Sequence, residues 1–100
     1  MINLKNKELT WNQVKEKLKF TPEEEAEIQL EEDLIEATIE ARKRNNLSQR
    51  ELSIKTGIKQ PSIARIESRS RSPQASTLIK LLYPMGYTIR VAPLNQEQKR

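Results

Sequence analysis

Apolar residues recur at helical spacing through most of the chain, and the polar breaks between these runs predict five helices. In the first run, Trp11, Val14 and Leu18 share one helical face. Thr10 precedes this run and suits a helix N-cap, because its hydroxyl can accept from the free N–H groups of a first turn. The pattern predicts a short helix from this cap to about Lys19.

A second run begins at Thr21, which is followed by Pro22 and three glutamates. Proline suits the first helical turn, and acidic side chains favour the positive end of the helix dipole. The pattern continues to about Asn45 and favours one long or slightly kinked helix over two helices broken near Glu31. Its apolar positions are Ile28, Leu34, Ile35, Ile39 and Ala41.

The segment from 47 to 67 predicts two short helices joined by a tight turn. Ser48 and Glu51 have the spacing of a capping box, so the first helix should run from about Gln49 to Thr56. Gly57 can take the left-handed conformation that ends a helix, and Pro61 suits the first turn of the next helix. That second helix has an apolar back and a polar front; the back is Ile63 and Ile66, and the front is Gln60, Ser62 and Arg65.

The end of the chain predicts one more helix and one strand. A helix from about Gln74 or Ala75 should bury the apolar set Leu78, Ile79, Leu81 and Leu82, and it should stop at Pro84 and Gly86. Residues 87–91 alternate and are β-branched, which favours a strand. A lone strand has no partner within the chain and could pair with a second copy across a two-fold axis.

The composition limits the chemistry that this chain can perform. One hundred residues support one domain with an additional arm, and so small a core makes dimerisation an easy expectation. The sequence holds no cysteine and no histidine, so it lacks the commonest nucleophiles, general bases and zinc ligands. We therefore expect no enzyme activity, no metal and no cofactor. With no apolar span of membrane length and no secretory leader, we expect a cytoplasmic protein with no membrane partner.

The charge is divided unequally along the chain. Residues 1–41 hold five Lys/Arg and eleven Asp/Glu, a net charge of −6, whereas residues 42–100 hold thirteen Lys/Arg and three Glu, a net charge of +10. The basic half contains the two short helices and suits a polyanion. The acidic half would repel DNA, so either it is merely a solvated helix surface or it binds a different partner.

The segment LSQRELSIKTGIKQPSIARIE resembles the helix-turn-helix of the Xre/Cro/C1 class of phage repressors, and the resemblance covers about residues 34–86. It implies an all-α, five-helix Xre/Cro-like domain that reads duplex operator DNA. Two positions depart from the family pattern. Lys59 stands where the family usually has a Ser or Thr cap, and Asn46 stands where it usually has glycine.

The polar front of the second short helix supplies the expected base contacts, Gln60, Ser62 and Arg65. Glutamine can pair with adenine and arginine with guanine, and the start of such a helix points into the major groove. The expected phosphate contacts are Gln49, for which the resemblance implies that role, and Lys59, Arg69 and Arg71. The resemblance also implies that Arg42 and Glu67 form a structural ion pair.

The whole layout resembles HigA-type antitoxins, the partners of RelE/HigB-like mRNA-cleaving toxins. This resemblance implies three regions: a toxin-binding helical extension (1–33), the DNA-binding domain (34–86), and a strand and tail for dimerisation (87–100). It also implies a homodimer that represses its own operon. The expected toxin-binding residues are Trp11, Val14, Leu18, Glu24 and Ile28.

Two alternatives remain at this point. The chain could be a stand-alone phage-type or metabolic repressor without a toxin partner, in which the N-terminal helix serves only folding or dimerisation. Trp11, the only tryptophan, could equally anchor a small core instead of a partner surface.

Overall fold

The computed structural model describes residues 10–94, and the side chains of Trp11, Val14 and Lys15 lie outside that description. The described residues form five α-helices and one 3₁₀ turn, and none of them is in a β-strand. The prediction of five helices is confirmed. The bounds are α1 Trp11–Leu18, α2 Pro22–Arg44, α3 Gln49–Thr56, α4 Gln60–Glu67, α5 Ala75–Leu82 and the 3₁₀ turn Tyr83–Met85.

The chain divides into two compact units, Met1–Glu32 and Asp33–Arg100, and the division falls within α2. That helix is continuous over its whole length, so the interpretation as one long helix is confirmed. No helix among residues 10–94 is long and apolar enough to cross a membrane.

In the first unit, two capping boxes fix where the helices begin. The Gln13 amide N–H donates to the Thr10 hydroxyl at 3.2 Å, and the Thr10 N–H donates to the Gln13 side chain at 2.8 Å. Thr21 and Glu24 repeat this arrangement at the start of α2, at 3.1 and 2.9 Å. Each box satisfies two backbone groups that a helix N-terminus would otherwise leave unpaired.

In the second unit, one apolar core holds α3, α4, α5 and the C-terminal part of α2 together. Leu52, Ile63 and Leu81 are completely buried, each on a different one of these short helices. Leu47 and Ile58, which flank α3, pack on the same core. The core thereby fixes α3 against α4, the geometry on which a helix-turn-helix depends. The remaining buried members of this cluster are Ile35, Ala41, Ile66, Leu82 and Met85.

Local backbone chemistry sets the turn between α3 and α4. The Ser48 and Glu51 capping box is present, with hydrogen bonds of 3.0 and 2.8 Å. Gly57 has a φ of 80°, and its N–H donates to the Ser53 carbonyl. A glycine reaches this left-handed conformation without the penalty that a Cβ brings. The predicted positions of both helix ends are confirmed.

At the C-terminal end, one prediction is wrong and another is not supported. Ile79 is 46% exposed instead of buried, because the core face of α5 carries Leu78, Leu81 and Leu82, and Ile79 lies about 100° around the helix from Leu78. The predicted strand at 87–91 is absent: these residues have no regular structure, and only Ile89 packs on the core. A strand needs a neighbouring strand to satisfy its backbone, and the described part of the chain offers none.

Candidate nucleic-acid interface

The two faces of α4 differ as expected for a helix that lies on a core and presents its front to a ligand. Ile63 and Ile66 are buried, while Arg65 is exposed and Gln60 and Ser62 are partly exposed. Lys59 occupies the N-cap without a side-chain cap bond. Its ammonium group carries only donors, so it cannot accept a hydrogen bond from a backbone N–H as a capping side chain does. Pro61 has no N–H, and the Ser62 N–H donates to the Lys59 carbonyl at 2.9 Å. The positive end of the helix dipole and the Lys59 charge both favour an anion at this end of α4.

Gln60 is oriented by a hydrogen bond from the preceding helix. Its side-chain NH₂ donates to Gln49 Oε1 at 2.8 Å. This bond uses one of its two N–H groups, and among residues 10–94 no donor occupies its carbonyl oxygen. The remaining N–H and the oxygen are the donor and acceptor that a bidentate contact to adenine requires.

Gln49 is held in turn by a buried carboxylate. Its NH₂ donates to Glu67 Oε1 at 2.9 Å. Arg42 donates to the same carboxylate through Nε at 2.7 Å and through NH2 at 3.0 Å, and its NH1 donates to the Leu47 carbonyl at 2.8 Å. The ion pair that the resemblance implied is thus a bidentate contact. We call Arg42, Gln49, Gln60 and Glu67 the Glu67 cluster.

The hydrogen bonds of the Glu67 cluster fix the orientation of Gln49 and Gln60. The side chains of Arg42 and Glu67 are only 13% and 7% exposed, so their polar atoms depend on protein partners more than on water. The hydrogen bonds of the cluster connect Arg42 of α2 to Glu67 at the end of α4. They continue from Glu67 to Gln49 of α3, and from Gln49 to Gln60 at the start of α4. The structure therefore gives Gln49 a positioning role, beside the phosphate contact that remains a prediction for it.

The other predicted DNA contacts lie in different surroundings. The Arg65 side chain has no ion pair within the described residues, and its exposure leaves the guanidinium available to a base edge. Arg71 and Ser62 line an open groove of about 450 Å³ between α4 and α5. Arg69, by contrast, pairs with Glu36 of α2 at 2.8 Å.

The same groove is lined by a lysine that the sequence pattern did not predict as a DNA contact. Lys80 of α5 lines it together with Thr77, three residues earlier and on the same helical side. The spacing of these two polar residues, away from the leucine face of α5, is the sequence signal that could have predicted this surface. Lys80 and Arg71 give this groove a positive charge that suits a phosphate backbone. The groove lies beside α4, which is the second and potential recognition helix of the helix-turn-helix.

The residues expected to bind a toxin belong to the first unit. Leu18 and Ile28 are exposed, by 46% and 37%. Glu24 is exposed but is also the capping partner of Thr21. The side chains of Trp11 and Val14 lie outside the described residues. No group of three or more acidic side chains between 10 and 94 is arranged to hold a metal ion.

Comparisons with known proteins agree with this geometry. The helix-turn-helix family model matches residues 39–90. An uncharacterized HTH-type transcriptional regulator of Haemophilus influenzae is 42% identical over 84 residues, which are 84% of this chain and 85% of the relative. A solved chain described as a toxin-antitoxin module from Streptococcus pneumoniae is 37% identical, with a TM-score of 0.66. The match covers 86% of this chain and 94% of that one.

The family match spans α3, the turn and α4, together with the residues that orient Gln60 and the helix that closes the core. The relatives match beyond this core, over more than four fifths of the chain. The chain belongs to the helix-turn-helix family of DNA-binding transcriptional regulators of the Xre type.

Proposed function

We propose that this protein is a HigA-type antitoxin, which represses its own operon as a homodimer and neutralises a RelE/HigB-like mRNA-cleaving toxin. The observation that carries the proposal is the near-complete match to a chain of a toxin-antitoxin module, at 37% identity. This chain would occupy the place that the matched chain has in that module. The Xre-type domain supplies the DNA-binding half of the activity.

The DNA-binding half rests on the front of α4. Gln60 is aimed by the Glu67 cluster, and Ser62 and Arg65 lie on the same side of the helix. Base edges would be read by these three side chains, and backbone phosphates would be held by Lys59 and Arg71. Phosphate contacts give affinity without sequence preference, whereas the base contacts select the operator.

The toxin-binding half rests on the acidic part of α2. Between residues 23 and 40 the chain has nine acidic residues and no basic one. Exposed apolar side chains lie among them, Ile28 at 37% and Leu30 at 56%. Apolar anchors surrounded by charges of one sign suit a partner of opposite charge, because the charges steer the encounter and the apolar groups add affinity. The partner proposed for this surface is a small basic protein.

The stand-alone repressor is the competing assignment. It explains the front of α4 equally well, but it leaves folding or dimerisation as the only role for the exposed apolar side chains in an acidic surface that would repel DNA. The two assignments differ in one observable, the presence of a stoichiometric protein partner.

A tagged pull-down from native cells with intact-mass detection tests this difference. We expect one small basic partner at a fixed ratio to this chain. Replacing Glu27 and Glu31 by lysine should weaken partner binding at least about tenfold, because both carboxylates are exposed and their reversal places like charges together. Recovery of only this chain and DNA would overturn the antitoxin assignment and leave a repressor.

The control for this experiment is the double substitution Gln60→Ala and Arg65→Ala. Both residues lie on the DNA-facing front of α4, outside the first unit. This variant should capture the partner as the natural protein does while losing operator binding. The variant with Glu27→Lys and Glu31→Lys should lose the partner while keeping operator binding.

The proposed homodimer is supported by an apolar pair on α5 and the turn after it. Ile79 and Tyr83 lie one helical turn apart and are 46% and 76% exposed. Paired recognition helices double the base contacts across a two-fold operator, so burying this pair between two copies would serve DNA binding.

We expect Tyr83→Glu to produce a folded monomer that binds operator DNA at least about tenfold more weakly, because a buried unpaired carboxylate opposes association. Sedimentation velocity at micromolar concentration measures the change. Ile54→Glu is the matched control, since Ile54 is 77% exposed on α3 and outside this pair. A Tyr83→Glu protein that remained dimeric would exclude this surface.

A further inference from the structure

Arg69 lies two residues beyond the end of α4, where its charge alone suggests a phosphate contact. In the structure its guanidinium contacts protein groups. Its NH2 pairs with Glu36 Oε1 at 2.8 Å, and its NH1 donates to the Glu67 carbonyl at 2.8 Å. The guanidinium therefore connects α2 to the main chain at the last residue of the recognition helix.

These contacts act on a residue that is already held from its other side. The Glu67 side chain accepts from Arg42 and Gln49, while its carbonyl accepts from Arg69. Arg42 and Glu36 both belong to α2, so that helix fixes the C-terminal end of α4 through the side chain of Glu67 and through its backbone.

Arg69 has an unusual backbone conformation. Its φ is 63°, in the left-handed region that residues other than glycine rarely adopt. Glycine would be the less strained choice here, because it lacks the Cβ that makes this region unfavourable. The arginine side chain offsets that strain with the two hydrogen bonds described above.

We propose that Glu36 and Arg69 are positioning residues for DNA recognition: their ion pair fixes the end of α4 on α2 and so sets how its front enters the major groove. This inference rests on the proposed DNA binding through α4. It assigns a DNA-binding role to a carboxylate of α2, a group that backbone phosphates repel.

Positioning by Glu36 and charge repulsion by Glu36 predict opposite changes in DNA affinity when its negative charge is removed. Removing a negative charge from a DNA-binding protein should strengthen its binding, because the phosphates are then repelled less. If Glu36 positions the recognition helix, its removal should weaken binding instead. An exposed ion pair contributes modestly, so the expected loss is small but measurable.

The test is a fluorescence-anisotropy titration of an operator duplex with Glu36→Gln, compared with the natural sequence and with Glu40→Gln. Glu40 is a matched control, because it lies one turn further along α2, is 66% exposed where Glu36 is 68% exposed, and pairs only weakly with Arg44 at 3.7 Å. We expect about threefold weaker binding for Glu36→Gln and equal or slightly tighter binding for Glu40→Gln. Equal or tighter binding by Glu36→Gln would overturn the proposal.

Arg69→Gly provides a second and independent measurement. Glycine suits the left-handed backbone, so this variant should keep its melting temperature while losing the ion pair. We expect the same threefold loss, with an unchanged dependence of the binding constant on salt, and no further loss in the double variant with Glu36→Gln. A salt slope lowered by about 1 would instead make Arg69 a phosphate contact and overturn its positioning role.

Failure of the proposed DNA binding and failure of the positioning role give different results. If the natural protein bound no duplex specifically, the proposed function would fail before any variant was compared. If it bound its operator while Glu36→Gln and Glu40→Gln behaved alike, only the positioning role would fail.

Discussion

Replacing Glu67 with alanine should destabilise the DNA-binding domain by about 3–5 kcal/mol, because it leaves the Arg42 guanidinium, whose side chain is only 13% exposed, without its bidentate partner. The Gln49 amide loses its acceptor in the same change. A domain of this size has little stability to spare, so the protein should melt at least about 12 °C lower or fail to fold at 37 °C. Thermal unfolding followed by circular dichroism measures the effect.

Glu40→Ala is the matched control for this substitution. Glu40 is 66% exposed, and its contact with Arg44 is long, at 3.7 Å. Exposed pairs contribute little, so the melting temperature should change by no more than a few degrees. If Glu67→Ala melted as the natural protein does, the Glu67 cluster would not be the support that we assign to the recognition helix.

Replacing Gln60 with alanine should weaken operator binding by about 1–3 kcal/mol, equivalent to about five- to 150-fold, without unfolding the protein. Gln60 lies at the edge of the Glu67 cluster, and among residues 10–94 the substitution removes only its side-chain bond to Gln49. The change should be confined to one base pair of each half-site, since a side chain at this position reads a single base edge. A panel of operator duplexes, each altered at one position, measures that loss of discrimination.

Arg71→Gln separates base reading from phosphate binding. Arg71 is exposed beside the groove between α4 and α5, and its loss should weaken binding to every duplex by a similar factor and lower the salt slope by about 1. Gln60→Ala should leave that slope nearly unchanged. If Gln60→Ala instead weakened all duplexes equally, Gln60 would not be a base-reading residue.

Local chemistry was enough to predict most of the second unit. Ser48 and Glu51 identify the start of α3, and Gly57 identifies its end, because each acts on backbone groups within a few residues. Periodicity likewise identifies the buried faces of α3 and α4. Asn46 adopts the left-handed conformation that its place in the family pattern requires, with a φ of 56°.

What the sequence did not predict depends on distant parts of the molecule. The contact of Arg69 with Glu36, 33 residues earlier, follows from no local pattern, and the phosphate contact of Arg69 stays a prediction. The bond between Gln60 and Gln49 joins two helices, and no spacing rule predicts it. The alternation of residues 87–91 is real, but a strand also needs a partner that the described chain does not supply. The apolar run around Ile79 predicts that it is buried, although the helical repeat places it outside the core face.

Titration of the DNA upstream of this gene tests whether α4 reads a specific operator. Fluorescence anisotropy should compare that duplex with a scrambled duplex of equal length and composition over a series of salt concentrations. We expect two copies of the chain to bind the upstream duplex at least about a thousandfold more tightly than the scrambled one, with both affinities falling as salt rises. Equal affinity for the two duplexes would show that α4 reads no operator there.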